Sequence, residues 1–399
     1  MQHTWKLAAL ATAALLTACG GGGSDAPANR AGLTNVITMG DSLASVGLKA
    51  ADGSHVAGTL ATITGSSNEP TVVWTERVAQ GMGIGGTLCS YYNPADTTVT
   101  SASCNSYAVS GARINAASTG NAKADSIQKQ ITEAAANKGS FKATDLILLD
   151  GGGNDVADLV GAALQAQAGS PAGFQALLGS LGSASAPALA ALAQKDSAQA
   201  GGAYLTALAN VFAAKIKSDL LDKGASHVAV LNTPDVSKTP RFTALLSGVQ
   251  ARTTAGAKAQ GASDAVAAAA GADAAAKARA LTSGWVVAYN TALAAALGSD
   301  SRIALVDFYT EFNAQIADPA QFDLANVTDT ACPATGRDSS GLPSYSFATC
   351  TAANLDAIAG KTAGWWQRYA FSDGFHPTPY GHSLMGALVS RTLAQKGWF

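Results

Sequence analysis

Asp145-Leu146-Ile147-Leu148-Leu149-Asp150-Gly151-Gly152-Gly153-Asn154-Asp155 is the stretch that sets the fold class. Its unbroken aliphatic run leaves no polar face, so it reads as a strand, Asp145–Asp150, covered on both sides. The three glycines that follow mark a sharp exit from that strand. The same pattern returns at Asn35–Met39, His227–Leu231 and Ile303–Phe308, with a weaker instance at Ser106–Val109. Long Ala- and Leu-rich helical stretches separate these runs. Strands alternating with helices predict an α/β sandwich, with helices on both faces of a mainly parallel sheet.

Two of the intervening segments, 156–223 and 238–299, are long for simple crossovers and are expected to be helical insertions. In Gly261–Ala280, 12 of 20 residues are Ala, so helix propensity is high while apolar burial per residue is small. Such helices are expected to face solvent and decorate the fold, rather than cap a substrate entrance. Of the 399 residues 48% are hydrophobic and 13% charged, with a net charge of -2. That balance supports a large core, and without a basic block it argues against a nucleic-acid partner.

The N-terminus has the pattern of an export signal over residues 1–18. Lys6 precedes the apolar run Leu7–Leu16, which is too short to span a bilayer. Leu16-Thr17-Ala18-Cys19 resembles the lipobox of bacterial lipoproteins, and that resemblance implies cleavage before Cys19 and acylation there. Residues 19–31, with Gly20-Gly21-Gly22-Gly23-Ser24, would then form a flexible tether, and the protein would be exported and held at the outer membrane or cell surface. Ordinary secretion or a periplasmic location is the alternative. Cys89, Cys104, Cys332 and Cys350 remain. They allow three pairings, of which the local ones, Cys89–Cys104 and Cys332–Cys350, are the simplest for an oxidising compartment. There is no Cys-x-x-Cys and no histidine at ligand spacing, so no metal site is expected.

Chemistry-bearing residues sit at strand exits, where parallel sheets place functional groups. Gly40-Asp41-Ser42-Leu43 ends the first strand, and Ser110-Gly111-Ala112-Arg113 follows the weak one. Gly151-Gly152-Gly153-Asn154-Asp155 follows the strand quoted first, and Asp373-Gly374-Phe375-His376 lies near the C-terminus. Together, and in this order, they resemble the motif blocks of the SGNH/GDSL hydrolase family. The resemblance implies a flavodoxin-like three-layer α/β/α fold over residues 32–399 and ester hydrolysis without a cofactor. It makes Ser42 the nucleophile and Asp373 and His376 the acid and base. Gly111 and Asn154 become oxyanion donors. Some lipolytic members continue after the first block with Ser-Asp-x-Gly, where this chain has Ala44-Ser45-Val46-Gly47.

The residues support the same assignment physically. A serine hydroxyl needs a base to take its proton. Of the four histidines after residue 18, His227 reads as a packed strand residue, and His55 sits in a polar loop near only Asp52. His382 lies one turn into a helix that Thr378 can cap and Pro379 can open. Only His376 has an aspartate three residues before it, a spacing that can orient the imidazole. Backbone N–H groups of Ser42 and Gly111 with the Asn154 amide could hold an oxyanion. Gly-x-Ser-x-Gly occurs at no serine, against an α/β-hydrolase elbow. The expected activity is serine esterase or lipase action on an ester with an apolar acyl group. The alternatives are a carbohydrate or polymer acetylesterase at the cell surface, or an inactive surface-binding lipoprotein. Trp365, Trp366, Tyr369, Phe371 and Phe375 either wedge the last helix against the sheet or line an acyl pocket.

Overall fold

The computed structural model describes residues 29–65, 73–84 and 88–399. Cys19 and the export signal lie outside them. In chain order the elements are β1 (Asn35–Met39), α1 (Trp74–Gly81), α2 (Ile127–Lys138), β2 (Asp145–Leu149) and α3 (Gly153–Gln167). Next come α4 (Ala172–Gly179), α5 (Ala186–Lys195), α6 (Ser197–Asp219), β3 (Val228–Leu231), α7 (Pro240–Ala259) and α8 (Asp264–Leu297). The last are β4 (Ile303–Val306), α9 (Phe308–Ala317), β5 (Asn326–Thr330), β6 (Gly336–Arg337), β7 (Pro343–Ser344), α10 (Ala352–Asp356), β8 (Tyr369–Phe371) and α11 (Pro379–Gln395).

The main sheet runs β1-β2-β3-β4, all parallel. Beyond β1 the expected fifth strand is reduced to one parallel bridge, Thr38 to Ser106. The Tyr107 and Val109 N–H groups donate to the Thr38 and Gly40 carbonyls at 2.8 and 3.2 Å. Counting that segment, the chain-order sequence across the sheet is 2-1-3-4-5, the flavodoxin-like arrangement, whose switch point lies between β1 and β2.

Alternate residues of each strand enter different cores. Ile37, Met39, Ile147, Leu149, Val228 and Val230 pack against α2 and α3–α8. Val36, Leu146, Leu148, Ala229, Leu231 and Val306 pack against α1, α9 and α11. Each fully buried aliphatic side chain contributes about 1.5–3 kcal/mol, so burial on both faces fixes these strands strongly. β1 has the expected bounds, and the other three strands are one or two residues shorter than expected. Asp150 and His227 fall just outside β2 and β3, and Phe308 opens α9.

The insertions differ from expectation. Tyr204, Leu205, Leu208 and Phe212 of α6, and Trp285, Tyr289 and Leu293 of α8, are core residues against the sheet. The Ala-rich first half of α8 is largely exposed, as are α5 and the second half of α7, and it buries Ala267 and Gly271. Small side chains there serve helix-to-helix approach. The disulfides Cys89–Cys104 and Cys332–Cys350 are the local pairs. The second closes the loop that carries the β6–β7 hairpin.

Candidate active site

All four motif blocks converge at the C-terminal ends of β1 and β2. Gly40 must be glycine, because a Cβ there would lie 1.6 Å from Asp150 Oδ1. Its N–H donates to Gln130 Oε1 at 2.8 Å, and the next N–H, that of Asp41, donates to Asp150 Oδ1 at 2.9 Å. Asp41 Oδ1 accepts the Leu43 N–H at 3.0 Å, an Asx-type turn that presents Ser42 between them. Ser42 is buried, and its Oγ lies 2.8 Å from His376 Nε2.

His376 is placed by the turn between β8 and α11. Asp373 Oδ1 accepts the backbone N–H groups of Phe375 and His376 at 2.8 and 2.7 Å. The carboxylate also meets His376 Nδ1 at 2.9 Å. That fixes the ring with Nε2 toward Ser42. Phe347 and Phe375 flank the imidazole edge-on, each with ring centroids 5.9 Å away. Burial disfavours the imidazolium, but the charge and hydrogen bond of Asp373, joined by the Asp41 charge, together outweigh it and raise His376 above its ordinary value. Burial likewise opposes the Asp373 carboxylate, yet His376 and the two N–H donors hold it below its usual value.

Opposite the histidine lie the expected oxyanion donors. Gly111 has φ +77°, a left-handed conformation that favours glycine. Its carbonyl accepts from the Arg113 guanidinium, which also pairs with Asp158. Asn154, in the first turn of α3, donates through Nδ2 to Asp41 Oδ2 at 3.3 Å and to the Ala112 carbonyl at 3.0 Å. Its amide therefore lies between the Ser42 turn and the Gly111 turn.

Two spaces meet here. A narrow internal pocket of about 50 Å³ borders Ser42 and Gly153, and an open cleft of about 750 Å³ borders Asn154, Asp373 and His376. Phe375 lines both. The match to a known family fits this geometry: residues 36–389 agree with the model for GDSL-like Lipase/Acylhydrolase. The chain belongs to that family. Membership makes it, in general terms, a serine ester hydrolase or acylhydrolase. No curated protein sequence matches the chain.

In this GDSL hydrolase several positioning residues escape a reading of the sequence. Asp155 Oδ2 and Oδ1 accept the Ile114 and Asn115 N–H groups at 3.0 and 2.9 Å, tying the Gly111 loop to α3. Burial pushes its carboxyl up to about 6. Asp150 is raised well above the usual carboxylate range, by burial and then by Asp41. It supports the turn, and its Oδ2 has no hydrogen-bond partner. Both residues stood in quoted motifs, but their partners lie 40 or more positions away in sequence.

The other histidines sit apart from Ser42. His55 Nε2 meets Glu76 at 3.0 Å, a carboxylate that sequence proximity to Asp52 did not suggest. His227 packs edge-on against Trp398. His382 is buried in α11, whose N-terminus Thr378 caps and Pro379 opens; burial holds its imidazole down at about 3. The aromatic group divides. Trp366 packs with the Cys332–Cys350 disulfide, with Trp365 and Tyr369 at its margin, while Phe371 and Phe375 line the internal pocket.

Proposed function

We propose that the protein is an exported carboxylic ester hydrolase that works through an acyl-enzyme. The observation that carries this reading is the chain of contacts from Ser42 Oγ through His376 to Asp373. In the first half-reaction His376 Nε2 takes the Ser42 proton as Oγ attacks the ester carbonyl. The tetrahedral oxyanion is held by the Ser42 and Gly111 N–H groups and the Asn154 amide. Collapse expels the alcohol, which takes the proton from His376. Water, activated by the same imidazole, then releases the acid and restores Ser42. The ester's acyl group is apolar, in keeping with the pocket beside Ser42. Ser42→Ala abolishes hydrolysis of p-nitrophenyl acetate while the circular dichroism spectrum is retained; hydrolysis surviving in that variant refutes the assignment.

The same proposal includes a lipid anchor at Cys19 on the outer membrane or cell surface. Supporting it are the residues Leu16-Thr17-Ala18-Cys19 and the two disulfides, which suit an oxidising compartment. Radiolabelled palmitate is incorporated into the wild-type protein and not into Cys19→Ser; equal incorporation into both removes the anchor.

A further inference from the structure

The narrow pocket beside Ser42 is mainly apolar; its polar lining, including Asp41, Asn232, Thr233 and Thr239, also includes Gln315. α9 starts where β4 ends, at the catalytic edge. Phe308, Phe312 and Gln315 therefore step away from that edge over two helical turns, roughly 10 Å. All three line the pocket, as do Phe371 of β8 and Met385 of α11. Gln315 is only 6% exposed, and its Nε2 has no hydrogen-bond partner. Asp150, near the mouth, also borders this pocket with Oδ2 unpartnered. Buried polar groups are almost always paired, and leaving one unpaired costs about 1–3 kcal/mol. A carboxamide in that condition, at the inner part of a pocket that begins at the nucleophile, invites a partner from the substrate.

We propose that the pocket is the acyl site and that Gln315 makes it select acyl chains carrying an acceptor oxygen near their far end. Such an oxygen is an ether, oxo or hydroxyl group. The inference rests on the catalytic assignment of Ser42 and adds the class of acid released. A plain alkyl chain reaching Gln315 leaves the amide unpaired, as it is in the free pocket. A chain with an oxygen at that depth accepts the Nε2 hydrogen. A short acyl group stops before Gln315 and is indifferent to it. The alcohol half of the ester then occupies the open cleft past His376, where Arg241 and Asp338 form an ion pair at 2.9 Å.

The test uses p-nitrophenyl hexanoate and octanoate beside analogues of equal length in which one late methylene is an ether oxygen. The full chain, Gln315→Leu, Gln315→Met and Phe312→Ala are compared by kcat/KM. In the wild type the ether esters are preferred. Both Gln315 variants lose the ether preference, with a change in the ratio of about tenfold, the size expected for one buried hydrogen bond, and keep the wild-type activity on the plain octanoate. Activity kept on the plain ester shows that the variants are folded. Phe312→Ala moves the chain-length optimum upward. An ether-to-plain ratio equal in wild type and Gln315 variants overturns the role of Gln315. An optimum unmoved by Phe312→Ala removes the acyl chain from the pocket. Hydrolysis that survives Ser42→Ala refutes instead the catalytic assignment beneath both.

Discussion

The His376 ring is held between burial, which favours its neutral form, and the carboxylates of Asp373 and Asp41, which favour the charged one and together prevail. Catalysis needs the neutral imidazole, so a raised pKa keeps the enzyme protonated and idle to a higher pH than a free histidine would. The acid limb of kcat/KM against pH is expected above 6.5, the ordinary histidine value. Asp373→Asn removes the larger raising charge, so the limb moves to lower pH while kcat falls by up to about 10⁴. A limb that stays in place would show that another group sets it. Asn154 is the second residue with a defined signature. Its Nδ2 is engaged by Asp41 and Ala112 in the free site, within reach of a developing oxyanion between them. Asn154→Ala is expected to lower kcat by about 10²–10³ with little change in KM. An effect on KM alone takes Asn154 out of the oxyanion hole.

Between elements, α7 and α8 show where propensity and packing disagree. Gly271 sits mid-helix in an Ala-rich run, and replacing glycine by alanine in a helix is ordinarily stabilising by about 0.8–1 kcal/mol. Here a Cβ would lie 2.2 Å from Thr254 Oγ1 and 2.6 Å from the Gln250 carbonyl oxygen. A backbone carbonyl cannot step aside cheaply, and overpacking costs about 1–3 kcal/mol. Gly271→Ala is therefore expected to destabilise by about 1 kcal/mol or more in urea unfolding, with activity retained; a stabilised variant would show that the two helices yield easily. The same pair explains what the sequence conceals. Ala-rich helices look like surface decoration because each residue buries little. Yet α6 and the second half of α8 bring Tyr204, Phe212, Trp285 and Tyr289 into the core. Only the partner helix reveals which face is covered. The four main strands were legible because both of their faces are apolar. The segment at Ser106–Val109 borders the sheet by a single bridge, and its weak pattern matches its marginal pairing.

Across the whole molecule, the motif blocks were legible as residues, while their supports were not. Ser42, Asn154, Asp373 and His376 carry recognisable types at strand exits. Gln130, Asp155 and Gln315 are ordinary residues whose importance comes from neighbours far along the chain. The two disulfides act at this scale as well. One ties the Tyr91–Tyr107 aromatic cluster beside β1, and the other closes the loop over the catalytic cleft. Each crosslink is expected to contribute about 3 kcal/mol in the chain-entropy model. Replacing Cys332 and Cys350 by serine lowers the melting temperature by several degrees and lowers kcat as well, because Phe347 of that loop flanks His376. Unchanged melting would show that the loop is held by its other contacts.

Ser42 and His376 stand 334 positions apart, with every strand of the main sheet formed between or before them. A ribosome must therefore complete nearly the entire catalytic domain before nucleophile and base can meet. A nascent chain holds Ser42 without the histidine that the proposed mechanism pairs with it. On the proposed mechanism the hydrolase is thereby silent until the turn carrying His376 docks, a safeguard set by the order of the chain.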